Sequence, residues 1–262
     1  MAEPVTLTKV DGIATVLLNR PEVFNTFNME LVESFAAALI SLAADQEVRG
    51  VIISGEGKAF SAGGDLRYAL TFPQGAAAAF HELAGRFHQA VLEIRRMPKP
   101  VIAAVNGVAA GGGFSLALAC DFRVMAQSAV LRQAYTSSGL CIDGGGSFAL
   151  PRLVGLAKAM EIMAFDRPIS AEQALAWELA TKVVPDGTAL AEAANMAREL
   201  ARGSLNAFGW AKKLLIDSFH TPFETHLERE RRGLSSCAAH PEGAEGLKAF
   251  IEKRRPVFTG KQ

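Results

Sequence analysis

The chain lacks a charge imbalance. Lysine plus arginine and aspartate plus glutamate each number 27 in 262 residues, for a formal net charge of zero. That balance excludes a general pull toward nucleic acid or anionic lipid, so an anionic ligand must be held by local groups. Cysteine is scarce: Cys120, Cys141 and Cys237 are odd in number and have no metal-ligand spacing. This excludes a disulfide framework and a cysteine-built metal site. It points to a reduced, cytoplasmic protein whose cysteines are small core residues. The opening "MAEPVTLTKV" has no basic segment followed by an apolar run, so no signal peptide is expected. Long Gly/Ser linkers, repeats and low-complexity tracts are also absent. One large domain, or one domain with a smaller appendage, follows from the length.

Several motifs are missing. No G-x-G-x-x-G follows a strand, and "GEGKAF" lacks the flanking residues of a phosphate-binding P-loop. "HELAG" is not H-E-x-x-H, and Ser115 sits in "GGFSL" rather than in G-x-S-x-G. The clusters "EIRRM", "ERERRG" and "EKRRP" mix bases with acids and read as solvated helix faces. One uncharged run, Val101 to Cys120, has the length of a membrane span. Asn106 and four glycines interrupt it, so buried strand, loop and buried helix is the better reading.

What is present alternates. "VTLTKVDGIATVLLNR" predicts two strands joined at Asp11-Gly12. "NMELVESFAAALISLAAD" has helical period, with Leu31, Phe35, Leu39 and Leu42 on one face. Strands "VIIS", "PVIAAV" and "FRVMAQ" alternate with a helix ending before Pro98 and a helix begun by "GGGFSLALAC". This is an α/β pattern with glycine-rich loops at strand ends. Alanine- and leucine-rich helical stretches dominate later. We expect a core over residues 1–203 and a helical C-terminal part over 204–262.

Two glycine loops stand out, "GKAFSAGGDL" and "NGVAAGGGFSLALACD". Glycine allows close backbone approach, and a helix N-terminus offers free N–H groups. Two such groups could converge as an oxyanion hole; tight turns and close packing explain the same glycines. Asp143, in "LCIDGGGSF", has two readings as well. It is an N-cap for the next helix, or a carboxylate whose pKa is raised by burial among Cys141, Ile142 and Phe148.

Taken with "LNRPEVFNTFN", "PKPVIAAVNGVAAGGGFSLALACDFRVM", "LPRLVG" and the tail "LKAFIEKRRPVF", these loops make the chain resemble the crotonase, or enoyl-CoA hydratase/isomerase, superfamily nearly end to end. The resemblance implies a spiral of β-β-α units with a helical C-terminal trimerisation part, as a homotrimer or dimer of trimers. It implies an acyl-CoA thioester as ligand, with CoA part of the substrate, no separate cofactor and no metal. The backbone N–H groups of Gly64 and Gly112 would hold the thioester oxygen. Residues Ala62 to Leu66, including Asp65, would contact CoA by their backbone. Phe250 and Lys253 match tail positions that reach CoA, often that of an adjacent subunit.

The resemblance also bears on the reaction. Its hydratases use two glutamates, and the matching positions here are Ser115 and Tyr135. Neither is a base at neutral pH, so Tyr135 is expected to touch substrate rather than activate water. Asp143 matches the single acid of double-bond isomerases. An acyl-CoA isomerase with Asp143 as proton shuttle is therefore the leading expectation. Alternatives are an enoyl-CoA hydratase, a dehalogenase or hydrolase of aromatic acyl-CoA with Asp143 as nucleophile, and a non-catalytic acyl-CoA-binding module. In the dehalogenase case His88 matches a histidine of that branch, whereas Tyr135 stands where tryptophan is expected. The segment Tyr68 to Phe80 is expected to shape the acyl pocket.

Overall fold

The structure is a computed structural model that describes residues 3–258. In chain order its strands and helices are β1 (Val5–Val10), β2 (Ile13–Leu18), α1 (Met29–Ala44), β3 (Gly50–Gly55), β4 (Ala59–Ser61), α2 (Leu66–Leu70), α3 (Ala76–Arg96), β5 (Val101–Val105), β6 (Val108–Ala110) and α4 (Gly112–Ala119). There follow β7 (Phe122–Ala126), β8 (Val130–Arg132), α5 (Gly146–Phe165), β9 (Ile169–Ser170), α6 (Ala171–Ala176), β10 (Lys182–Val184), α7 (Ala189–Ala201), α8 (Leu205–Asp217), α9 (Phe223–Ala239) and α10 (Pro241–Ile251).

Local chemistry accounts for the first elements. Asp11 and Gly12 both take positive φ, 49° and 76°, and Val10 faces Ile13 across the two-residue turn. Such a turn matches the twist of a hairpin. Asn28 caps α1 by accepting from the Leu31 N–H at 3.0 Å. Leu31, Phe35, Leu39 and Leu42 are all fully buried, as their helical spacing predicts.

The large sheet has the order β1-β2-β3-β5-β7-β10, parallel except for the opening hairpin. Every residue of β3 and β5 is buried. Helices cover both faces of such a sheet, which is why these strands read as unbroken apolar runs. A small sheet has the order β4-β6-β8-β9. After β3, β5 and β7 the chain steps at once into the small sheet, with β4, β6 and β8. The β-β-α spiral consists of these repeated steps. The strands of the small sheet have two or three residues each. Sequence reading placed β4 and β6 in glycine loops and found neither β8 nor β9, because so short a strand has no periodicity to detect.

The uncharged run from Val101 to Cys120 is β5, β6 and α4 of this core. No helix among the described residues is long and apolar enough to cross a membrane. Ser204 caps α8 through the Ala207 N–H at 3.1 Å. Lys212 of α8 is buried against the core, where its Nζ meets Asp121 Oδ2 at 2.7 Å. Arg49 donates to the Ala201 and Gly203 carbonyls at 2.9 and 3.2 Å. Beyond this docked helix, α9 and α10 expose Leu234, Leu247, Phe250 and Ile251.

Candidate active site

The two glycine loops are pressed together. Gly63 has φ +88°, and a Cβ there would lie 2.7 Å from the Gly112 nitrogen and 2.8 Å from the Ala110 oxygen. Only glycine satisfies both the conformation and the approach. Beside it, Phe27 and Gly64 form one parallel bridge. Phe27 N–H donates to Gly63 O at 2.7 Å, and Asp65 N–H donates to Phe27 O at 3.0 Å. In that pattern the Gly64 N–H points away from Phe27. Gly112 is the first residue of α4, so its N–H has no acceptor within the helix. Among the described residues neither N–H donates to another backbone group. Both glycines line a cavity of about 520 Å³, together with Tyr135 and Asp143.

Ala62 and Leu66 also line the cavity. Asp65 differs from expectation. Its carboxylate accepts from Arg20 at 3.1 Å and caps α2 through the Tyr68 N–H at 3.1 Å, and its own N–H is bonded to Phe27. Its side chain and N–H therefore fix the loop and are not free for a ligand.

Tyr135 is buried, and its hydroxyl lies 3.0 Å from Ser115 Oγ and 3.4 Å from the Asp143 carbonyl. Burial pushes the Tyr135 pKa up to about 12, the Asp143 charge adds to this, and the Ser115 hydrogen bond opposes it. Positions 115 and 135, where the resemblance expected water-activating glutamates, therefore hold a pair of neutral hydroxyls. Gln133 Oε1 accepts the Tyr135 N–H at 3.0 Å. Asp166 Oδ1 accepts the Ala134 N–H at 2.8 Å while Oδ2 pairs with Arg132 at 3.0 Å. Burial raises the Asp166 pKa, but hydrogen bonds from Ser137, Ala134 and Arg132 outweigh it and hold the carboxyl below its usual range.

Asp143 is not an N-cap. The cap of α5 is Gly145, which makes no side-chain bond, and Asp143 offers only its carbonyl to the Gly146 N–H at 3.1 Å. Nor is it enclosed by its apolar neighbours. Cys141 is exposed, and Phe148 turns away to lie 3.4 Å under the Arg152 guanidinium and 5.2 Å from the His220 ring. The Asp143 side chain is 39% exposed and meets His88 Nε2 at 2.6 Å. His88 is 48% exposed and stands outside the cavity lining. The turn that aims Asp143 depends on Gly144, whose φ is +60° and whose Cα abuts the Phe87 ring so closely that a Cβ would overlap it.

Of the remaining expected residues, Phe250 is 83% exposed on α10, and Lys253 follows that helix in a turn. Neither lines the cavity of its own chain. From the segment Tyr68 to Phe80, Ala77 and Phe80 reach the cavity, whereas Tyr68 forms a tilted pair with Phe72. Sequence reading overlooked Phe27, Leu83 and Phe87 as lining residues. The spacing of Phe80, Leu83 and Phe87 on one face of α3 was the signal available. Among the described residues no three His, Cys, Asp or Glu side chains gather as metal ligands.

Comparison with known proteins agrees with this architecture. The family model for enoyl-CoA hydratase/isomerase matches residues 8–261. The chain is 37% identical to 1,2-epoxyphenylacetyl-CoA isomerase of Escherichia coli, over 95% of this chain and 96% of that protein. It is 31% identical to 4-chlorobenzoyl coenzyme A dehalogenase-2 of Arthrobacter, over 95% of this chain and 91% of the relative. The crystal structure of an enoyl-CoA hydratase from Polaromonas superposes with a TM-score of 0.91 at 37% identity, covering 96% of this chain and 98% of that one. The chain belongs to the enoyl-CoA hydratase/isomerase family of the crotonase superfamily.

Proposed function

We propose that this protein is an acyl-CoA isomerase that shifts a double bond along the acyl group, with Asp143 as the proton shuttle. One observation carries the reading: Asp143 is the carboxylate of the cavity that Gly64 and Gly112 line, while Ser115 and Tyr135 are joined as neutral hydroxyls. The thioester oxygen of a 3-enoyl-CoA accepts from the Gly64 and Gly112 N–H groups. Asp143 takes a proton from C2, and the electron pair delocalises over C2 to C4 and the thioester oxygen. The same carboxyl returns the proton to C4, leaving a 2-enoyl-CoA and a free carboxylate. A donor aimed at the developing oxyanion is worth about 3–4 kcal/mol. No water is added and no redox step occurs, so CoA is part of the substrate and no cofactor is invoked. The loop from Ala62 to Leu66 receives the CoA. Phe250 and Lys253 serve the CoA of an adjacent subunit, in a cytoplasmic homotrimer or dimer of trimers. The exposed apolar residues of α9 and α10 support such an assembly.

The test is conversion of 3-enoyl-CoA to 2-enoyl-CoA by the wild type and by Asp143→Asn. The amide has no basicity, so turnover should fall at least about 100-fold, within the range of general-base catalysis. Undiminished turnover removes Asp143 from the mechanism, and rapid hydration of crotonyl-CoA by the wild type restores the hydratase reading.

The His88–Asp143 contact favours a second reading, in which Asp143 is a nucleophile toward an aromatic acyl-CoA and His88 activates the water that releases it. Chloride release from 4-chlorobenzoyl-CoA, with a covalent Asp143 adduct accumulating in His88→Gln, would select it. CoA binding without turnover on either substrate would leave a binding module.

A further inference from the structure

We infer that the acyl end of this cavity is built for a flat aryl ring carried close to the thioester, rather than for a straight alkyl chain. The inference rests on the reading of the cavity as an acyl-CoA site and names the acyl class.

Four aromatic side chains, Phe27, Phe80, Phe87 and Tyr135, line the cavity together with Gly64 and Gly112. They surround the reacting end. The Phe27 ring is packed on Gly112, where a Cβ would lie 2.8 Å from Phe27 Cε2. The Phe80 ring approaches Gly64, where a Cβ would lie 3.4 Å from Phe80 Cε1. Phe87 is packed on Gly144, the residue after Asp143, and Phe27 and Phe87 meet as a tilted pair with centroids 4.9 Å apart. Tyr135 is fixed by Ser115. A group carried next to the thioester therefore lies beside these aromatic side chains, among aliphatic neighbours such as Leu83 and Ile142.

Aromatic pairs prefer tilted or offset geometry and gain beyond the area they bury. A bound ring adds a further member to the Phe27–Phe87 arrangement. Ordering a ligand is the opposing effect. A straight chain surrenders many torsions to fit a cavity of about 520 Å³, whereas an arylacetyl group surrenders few. Both effects favour the ring at equal carbon number.

The experiment is calorimetric titration of the full-length protein with phenylacetyl-CoA, octanoyl-CoA and CoA alone. The two acyl groups have the same number of carbons. Phenylacetyl-CoA should bind about tenfold more tightly than octanoyl-CoA, equivalent to about 1.4 kcal/mol. In Phe80→Leu, a half-buried position whose change spares the core, the ratio of the two affinities should shrink at least about threefold. A preference under about threefold in the wild type, or a reversed one, overturns the aryl assignment and leaves the acyl-CoA site intact. If neither acyl-CoA binds more tightly than CoA, the acyl-CoA reading of the cavity fails and this inference fails with it.

Discussion

Ser115→Glu places a glutamate at one of the two positions where the family resemblance expects a hydratase acid, and the structure predicts that it will not create a hydratase. Ser115 is fully buried. Its Oγ touches Tyr135 at 3.0 Å, and a Cβ on Gly146 would come within 2.6 Å of it. The turn through Gly144 to Gly146 occupies the space a longer side chain needs. Overpacking of this kind costs about 1–3 kcal/mol. The new carboxylate has the Tyr135 hydroxyl as its available donor, and burying an under-bonded polar group adds about 1–3 kcal/mol. The sum is about 2–6 kcal/mol, a large share of a typical stability of about 5–15 kcal/mol. Ser115→Ala is the control, because it removes one hydrogen bond for about 1 kcal/mol. Urea denaturation of the three proteins, with a crotonyl-CoA hydration assay on each, reads both effects. A Ser115→Glu protein as stable as the Ser115→Ala control, or one that hydrates crotonyl-CoA rapidly, refutes the claim that the turn has filled this space.

Gly144→Ala should destabilise by about 2–4 kcal/mol, since it combines positive φ with overlap on Phe87. At about 2–4 °C per kcal/mol for a chain of this size, the melting temperature should fall by about 4–16 °C in a thermal scan. On the proposed mechanism, isomerisation should fall with it, because the turn aims Asp143. Lys212→Met should cost about 3 kcal/mol at neutral pH by leaving the largely buried Asp121 without its ion-pair partner. Burial already raises the Asp121 pKa, with Lys212 opposing it. Losing Lys212 raises it further, so the folded variant binds a proton more readily than the unfolded chain. Its deficit relative to wild type should therefore shrink as pH falls through the folded pKa and be smallest below the unfolded value near 4. Denaturation at several pH values checks the sign.

The parts of the fold legible in the sequence are those with period or punctuation. The Asp11-Gly12 hairpin, the buried face of α1 and the Ser204 start of α8 follow from side-chain chemistry within a few residues. The small sheet has no such local signature, because its strands are defined by neighbours from other turns of the spiral. The glycine loops stood out in the sequence, but local chemistry left an oxyanion hole and a tight turn equally open. Their physical reason, the packing of Gly63 on Gly112, joins residues about fifty positions apart. Asp143 shows the limit most clearly. Its neighbours along the chain are apolar, but one faces solvent and another lies under Arg152, while its actual partner is His88 on α3. Chain proximity misjudged the environment of that carboxylate; the turn around Gly144 decides it.

Asp121 sits directly after Cys120, the C-cap of α4, the helix that begins at Gly112. One oxygen of its carboxylate accepts both the Val101 N–H, at the start of β5, and the Lys212 ammonium of α8. That oxygen is a shared anchor for a helix, a strand and the C-terminal helices. At 1.5 Å of rise per residue α4 is only about 12 Å long, so this anchor sits just past the end of the helix opposite the Gly112 N–H. Peeling α8 from the core would leave a largely buried anion without its cation at the foot of that helix. Local opening of the C-terminal helices and loosening of the Gly112 loop should therefore occur as one cooperative event, with amide exchange in α4 and α8 rising together.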